Sequence, residues 1–107
     1  MKTQTTNNTP KKIGTVNIRN NKAGILKATV SGFDGTDAIT GQKSVKYKKN
    51  AAGNLIVGIP VETIPMVVDA ALGSAAMNFN TVSDQVDIIV IGANGKTINW
   101  NVEVKNF

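Results

Sequence analysis

Apolar and polar residues alternate with a period of two near the end of the chain, in the pattern of a half-buried β-strand. The apolar positions of this segment are Ile98, Trp100, Val102 and Val104. A second run rich in β-branched residues, 86–91, precedes it, and Asn94-Gly95 lies between the two. Asn-Gly suits a two-residue type I′ turn, because both central residues of that turn need a positive φ. The pattern therefore predicts a β-hairpin from Val86 to Val104.

The register of this hairpin predicts two apolar rows on its first strand. On one side Ile89 faces Trp100, and we expect that side to meet the core. On the opposite side, polar residues of the second strand lie across from Val86, Ile88 and Val90. Apolar rows of this kind are normally covered or used for binding. We expect these three residues either to be covered by a short helix at 64–72 or to bind a partner subunit.

Turn-forming residues divide the rest of the chain into further strands. The predicted strands are 12–19, 25–32, 43–49, 54–59 and 75–81. The first two are expected to pair as a second hairpin across the turn residues 20–24. Residues 33–42 are expected to form a loop. In it, Asp34 and Asp37 suit an Asx-type turn better than a calcium site, because an EF-hand needs more ligands.

Two segments do not follow the strand pattern. Residues 1–10 are rich in Thr and Asn and lack periodicity, so we expect a flexible N-terminal arm. Residues 64–72 suit a short helix, with Thr63 as its N-cap, Pro65 in its first turn and Gly73 just beyond its end. A helix this short needs tertiary packing to be stable.

Seven strands and one short helix in 107 residues predict a mainly-β protein. The expected architecture is a single antiparallel β-sandwich domain over residues 11–107. An immunoglobulin-like sandwich is favoured, since it needs about this length and this spacing of turns. An OB-like barrel with one helix is the alternative fold.

The segment VDIIVIGANGKTINWNVEVKNF resembles the last two strands of bacterial and phage immunoglobulin-like or cadherin-like β-sandwich domains. The resemblance covers about the last fifth of the chain. The Cys, Trp, Cys spacing of antibody domains is absent. The resemblance implies an adhesive or decorative module.

The composition removes the residues on which most familiar active sites depend. The chain has no cysteine and no histidine, so it lacks a thiol nucleophile, a thiolate metal site and the commonest general base. No pattern brings two carboxylates together for acid–base catalysis. We therefore expect a protein that is not an enzyme, with no catalytic residues, no cofactor, no metal ion and no small-molecule substrate.

The net charge of +5 is enough to attract a polyanion. The densest basic segment is KSVKYKK, which contains Lys43, Lys46, Lys48 and Lys49. As a strand, it places Lys43 and Lys49 on one face and Lys46 and Lys48 on the other. Two interpretations are open. One is a binding site for single-stranded nucleic acid, which also needs stacking aromatic residues. The other is a solvated edge strand that lysines protect against pairing with other sheets.

These features favour a structural interaction module, such as an accessory or decoration protein of a phage particle or a similar large assembly. Its expected partners are protein subunits of that assembly or further copies of the chain. A single-stranded nucleic-acid-binding protein is the alternative. The N-terminal segment lacks an apolar run, so we expect no secretory signal and no membrane span. Synthesis in the cytoplasm is expected, with the virion as the location if the protein is viral.

Overall fold

Nine β-strands and one 3₁₀ turn make up the fold in the computed structural model, which describes residues 1–107. The strands are β1 (Lys2–Thr5), β2 (Lys11–Val16), β3 (Lys22–Phe33), β4 (Ala38–Lys49), β5 (Leu55–Val57), β6 (Val61–Val68), β7 (Ala76–Val82), β8 (Gln85–Ile91) and β9 (Ile98–Asn106). The 3₁₀ turn is Ala70–Leu72.

The strands form two antiparallel sheets that face each other across a hydrophobic core. The large sheet has the order β1-β9-β3-β4-β5, and β6 also pairs with β4; the small sheet has the order β2-β8-β7. The mainly-β sandwich expected from the sequence is confirmed, although it has nine strands and not seven. No strand pairing joins the two sheets, so the structure is not an OB-like barrel. The immunoglobulin-like assignment stays a prediction.

The longest pairing is the hairpin of β3 and β4, in which each strand has 12 residues. Only residues 34–37 lie between these strands, so most of the loop predicted at 33–42 is strand. The prediction is wrong because Gly41 does not end the strand. Gly41 pairs with Val30, and Met66 of β6 fills the space that a side chain at this glycine would need.

Two of the predicted hairpins do not form, because the chain crosses from one sheet to the other between their strands. β2 pairs with β8 in the small sheet, whereas β3 pairs with β4 and β9 in the large sheet. β8 and β9 likewise lie in different sheets. The register predicted from Asn94-Gly95 is therefore wrong.

The connection at Asn94-Gly95 is a turn of another type. Gly95 has a φ of 73°, but Asn94 is not among the residues with positive φ, and a type I′ turn needs both. The amide of Lys96 donates to the carbonyl of Ala93 over 3.2 Å. Positive φ at the second central residue alone is characteristic of a type II turn. That turn does not match the twist of a tight hairpin, so the chain leaves the small sheet here and enters the large one.

The hairpin of β7 and β8 contains the turn with positive φ at both central residues. Ser83 and Asp84 have φ values of 50° and 57° and lie between the paired residues Val82 and Gln85. This is the geometry of a type I′ turn. Ser-Asp is a weaker sequence signal for it than Asn-Gly, so the pattern favoured the wrong position.

The face of β8 that meets the core is opposite to the predicted one. The residues that are fully buried are Val86, Ile88 and Val90, whereas Ile89 is half-buried. Both faces of β8 carry aliphatic residues, but Gln85 and Asp87 lie on the face of Ile89 and Ile91. This polar signal and the pairing of Val90 with the buried Met77 of β7 both favour the opposite face as core. The large sheet covers this row, and the partner-binding role predicted for its three residues is wrong because none of them is accessible.

Residues 64–72 do not form the predicted helix. Most of this segment belongs to β6, which pairs with β4, and helical hydrogen bonding is limited to the 3₁₀ turn. Five of the eight residues of β6 are β-branched, which favours a strand. Pro65 is tolerated within it because β6 is an edge strand.

Part of the predicted flexible arm is a strand. Residues 2–5 form β1, which pairs with β9. The indole Nε1 of Trp100 donates a hydrogen bond of 2.9 Å to the buried Oγ1 of Thr5. A buried indole N–H needs an acceptor, so this hydroxyl fixes β1 against the sheet.

The two buried aromatic side chains each lie opposite a glycine of β3. Trp100 pairs with Gly32, and Tyr47 pairs with Gly24. A Cβ at Gly32 would lie 3.1 Å from Cε3 of Trp100, and one at Gly24 would lie 3.0 Å from Cζ of Tyr47. The two glycines therefore make room for rings that cover the inner side of β3.

We expect Ile88→Lys to prevent folding, because an ammonium group at a fully buried apolar position has no partner and its burial costs several kcal/mol. Ile89→Lys, on the half-buried face of the same strand, is the matched control and should still fold. Circular dichroism and urea unfolding measure both variants. A cooperative unfolding transition for Ile88→Lys would show that this face is not core.

Candidate functional site

The four lysines of segment 43–49 are divided between the two faces of β4, as strand alternation predicts. Lys49 is 7% exposed and Lys43 is half-buried, whereas Lys46 and Lys48 are exposed. The polyanion site predicted from these four residues is therefore not brought together on one surface. The edge-strand interpretation is also wrong, because β4 lies between β3 and the edge strands β5 and β6.

The two inward lysines connect the large sheet to the small one. The Nζ atom of Lys49 donates to the carbonyl of Ile18 over 3.0 Å and to that of Asp84 over 2.9 Å. The Nζ atom of Lys43 donates to the carbonyl of Met77 over 2.7 Å. These ammonium groups are satisfied by backbone acceptors, so their role is structural.

Four lysines lie together at one end of the outer face of the large sheet, which is the face turned away from the core. This outer lysine cluster consists of Lys27 on β3, Lys46 and Lys48 on β4, and Lys105 on β9. Lys27 is paired directly with Lys105 on one side and with Ser44 on the other, two residues before Lys46. None of the four donates a hydrogen bond within the protein, unlike Lys43 and Lys49.

Sequence patterns alone do not reveal the outer lysine cluster. The sequence indicates only that Lys27 and Lys105 both occupy outward positions in strands where apolar and polar residues alternate. They are far apart in the chain, however, and only the pairing of β3 with β9 brings them together. That pairing joins residues far apart in the sequence, so no short sequence motif predicts it.

An apolar pair lies within the outer lysine cluster. Ile25 and Phe107 exchange two backbone hydrogen bonds, of 3.0 Å and 2.8 Å, which continue the pairing of β3 with β9. Ile25 is 43% exposed and Phe107 is 61% exposed. The Nζ atom of Lys27 lies 5.3 Å from the centroid of the Phe107 ring, within the range of a cation–π interaction.

Concave surface borders the outer lysine cluster on two sides. A shallow cavity of about 270 Å³ is lined by Lys27, Thr29, Gln42, Glu103, Lys105 and Phe107. An open recess of about 490 Å³ lies at the other end, where Lys22 and Lys48 are among its lining residues. Both are polar and open, as suits contact with a flexible chain more than enclosure of a small molecule.

A second surface, which we call the aliphatic stripe, runs along the β5–β6 edge of the same sheet. Its members and their exposed fractions are Ile56 (59%), Ile59 (88%), Val61 (61%), Ile64 (51%) and Val67 (59%). The register places Ile56 opposite Lys48 and Val67 opposite Thr40, on the outer face. Between residues 55 and 68 the only charged residue is Glu62.

Prolines limit backbone pairing along the aliphatic stripe. β6 pairs only with β4, so its other edge is open. Pro60 precedes β6 and Pro65 lies within it, and proline has no amide N–H to donate. The pairing of β6 with β4 is also irregular between Thr40 and Lys43. Prolines and irregular pairing protect edges against unspecific strand addition, so this surface is suited to contact through side chains.

The turn between β3 and β4 is the Asx-type turn that the sequence predicts. Oδ1 of Asp34 accepts hydrogen bonds from the amides of Asp37, over 2.6 Å, and Thr36, over 2.9 Å. These bonds, the one from Asp37 first, hold the pKa of Asp34 below its ordinary value of 3.8. The structure contains no group of three acidic side chains close enough together to hold a metal ion.

Comparisons with known proteins assign no family to this chain. No family model, no curated protein and no solved structure matches this sequence. No helix in the structure has the length and apolarity needed to cross a lipid bilayer. The aliphatic stripe and the outer lysine cluster are the two features that need a functional explanation.

We expect Lys49→Gln to lower the free energy of unfolding by about 1–3 kcal/mol, because the carbonyl of Ile18 loses its donor in a buried site. Lys48→Gln is the matched control on the outer face and should change the free energy of unfolding by less than about 0.5 kcal/mol. Urea unfolding of both variants measures the difference. Equal stabilities would contradict the structural role of Lys49.

We expect Asp34→Ala to destabilise the fold at neutral pH. Because the folded-state pKa is lowered, the carboxylate stabilises the fold fully above the ordinary value of 3.8, and this contribution is lost as the pH falls through the lowered pKa. The difference from the wild type should therefore shrink in acid. Asp34→Asn, which keeps the acceptor oxygen but does not ionise, is the control. A difference between wild type and Asp34→Ala that is independent of pH would refute the assignment.

Proposed function

We propose that this protein is a non-enzymatic interaction module that binds protein subunits through the aliphatic stripe. The observation that carries the proposal is a row of five aliphatic side chains that are between 51% and 88% exposed. Single exposed apolar residues are ordinary on protein surfaces. A contiguous row with polar residues beside it is typical of an interaction site.

The aliphatic stripe is held in a fixed arrangement, which supports a binding role. Met66 and Val68 of β6 pack against the core. The hydroxyl of Thr63 donates to Oε1 of Gln42 over 2.7 Å and lies 3.3 Å from Oγ of Ser44. These contacts anchor β6 to β4 on both faces. A surface ordered before binding loses less conformational entropy when a partner arrives.

A second copy of the chain is the partner that we propose for the aliphatic stripe. Segment 55–68 has one charged residue, Glu62, which pairs with the inward-facing Lys43. Lys48 pairs with Ile56 at one end of the stripe. The middle of two stripes can therefore meet with little burial of charge. A two-fold contact places the same patch of both copies face to face. An antiparallel contact centred on Ile64 also keeps the two Lys48 side chains at opposite ends, which limits repulsion.

The setting that we propose is an accessory or decoration subunit of a phage particle or a similar large assembly. Its support is the binding surface together with the resemblance of the last segment to immunoglobulin-like modules, and the immunoglobulin-like assignment is part of this proposal. Mass spectrometry of purified particles tests the setting. Absence of the chain from every such particle of its source would reject it.

The alternative of single-stranded nucleic-acid binding through segment 43–49 has less support. Two of its four lysines point inward and are bonded to backbone carbonyls. A nucleic acid therefore cannot contact all four.

We expect the purified protein to associate in solution, with a mass in light scattering above the 11.3 kDa of one chain. The double variant Ile64→Lys/Val67→Lys should have the mass of a single chain, because each lysine places a charge in the buried contact. Val82→Lys is the matched control: Val82 is 44% exposed on β7 of the small sheet, and its replacement should leave association unchanged.

Circular dichroism confirms that the variants are folded. A wild-type protein that has the single-chain mass at its highest soluble concentration would contradict contact between copies. Loss of association in Val82→Lys as well would show that the effect is not specific to the aliphatic stripe.

A further inference from the structure

Lys27 and Lys105 face each other directly across β3 and β9. Like charges at directly opposed positions destabilise a sheet. Glu103, the acidic residue on the same face of β9, pairs with Thr29 and accepts no hydrogen bond from either lysine. Within the chain, the compensating contact is that of Lys27 with the Phe107 ring. A local arrangement that costs stability is typical of a functional surface.

Lys46 and Lys48 extend this positive charge across β4. They lie two residues apart on one face, which corresponds to about 7 Å along a strand. The register pairs Lys46 with Ile25 and Lys48 with Ala23, so no acidic side chain separates the four ammonium groups. Their potentials add and favour an anion with several charges in a row.

The Phe107 ring lies among these lysines. One cross-strand row contains Lys105, Lys27 and Ser44, and the next contains Phe107, Ile25 and Lys46. One aromatic ring therefore lies among the cationic groups of this surface. Proteins that bind single strands combine basic residues for phosphates with exposed aromatic rings for bases.

We propose that the outer lysine cluster binds single-stranded nucleic acid, with phosphates at Lys27, Lys46, Lys48 and Lys105 and a base stacked on Phe107. A duplex fits less well, because this flat sheet face has no helix or ribbon that could enter a groove. The site shares Lys46 and Lys48 with the basic segment 43–49 but excludes its two inward lysines. It adjoins the aliphatic stripe where Lys48 pairs with Ile56, but variants at Lys27, Lys105 and Phe107 leave the stripe unchanged, so the two proposals can fail independently.

The test measures fluorescence anisotropy of a labelled oligothymidylate of about 12 nucleotides, within the usual site size. The affinity should fall with salt, because bound phosphates release counterions. Four phosphate contacts predict a slope of log K against log salt of about −2.8, from about −0.7 for each contact on a single strand. The double variant Lys27→Gln/Lys105→Gln should reduce the magnitude of this slope by about 1.4.

The matched control is Lys11→Gln/Lys12→Gln, which removes the same charge from exposed positions on β2 in the small sheet. Its slope should stay that of the wild type. An equal reduction in slope for the two double variants would show that net charge alone drives binding, and would overturn the proposed site.

Phe107→Leu separates stacking from charge. We expect about a fivefold or greater loss of affinity with an unchanged salt slope, since a stacked base contributes at least this much. Glu103→Gln should increase affinity, because Glu103 is the one acidic side chain among the residues that line the cavity beside the cluster.

Heparin and a duplex of the same length are the competing ligands. Heparin binding as tight as that of the oligonucleotide, together with no effect of Phe107→Leu, would reduce the site to general attraction of polyanions and overturn the proposal. Tighter binding of the duplex would overturn the preference for single strands. Absence of binding at low salt would also overturn it.

Discussion

The side chain of Trp100 connects the three strands that decide the order of the large sheet. It belongs to β9, its ring packs on Gly32 of β3, and its indole N–H bonds to Thr5 of β1. These contacts are all on the inner face, where the ring is 2% exposed. They fix β9 between β1 and β3, and the outer face of the sheet is continuous as a result. The outer lysine cluster depends on that continuity, because it spans β9, β3 and β4.

The two outer surfaces differ in chemistry although they share one sheet. Ser44 of β4 lies between Lys27 and Val61, and Gln42 lies between Thr29 and Ile64, whereas Lys48 pairs directly with Ile56. The two surfaces therefore adjoin at Ile56 and diverge from there across the sheet. A module that joins a protein assembly to a nucleic acid would bring both partners to one face of this sheet.

Strand alternation predicts which residues share a face, and for β9 it also identifies the buried side. Ile98, Trp100 and Val102 are buried as expected, and the lysines of β4 divide as expected. Short-range turn chemistry predicts the Asx turn at Asp34 for the same reason, since all its atoms are close in sequence. Local patterns are sufficient where the deciding contacts are local.

Pairing partners could not be predicted in the same way. β8 carries aliphatic residues on both faces and Gln85 and Asp87 on the outer one, but its neighbours β2 and β7 are not indicated by the sequence around it. The Asn-Gly signal indicates a turn but does not state whether the chain returns to the same sheet. The outer lysine cluster depends on the nonlocal pairing of β3 with β9, and the aliphatic stripe depends on β6 being an edge strand. Neither the pairing of β3 with β9 nor the edge position of β6 can be predicted from a short segment of sequence.

The position of β9 has a consequence for how the chain reaches its native state. Thr5 and Trp100 are 95 residues apart, and one edge of β3 is unpaired until β9 is present. High contact order of this kind slows folding. During synthesis, β1 and β3 emerge long before their common partner, with unpaired edges and uncovered apolar side chains. A nascent chain in that state is prone to aggregate, so the large sheet is completed only after β9 has emerged from the ribosome.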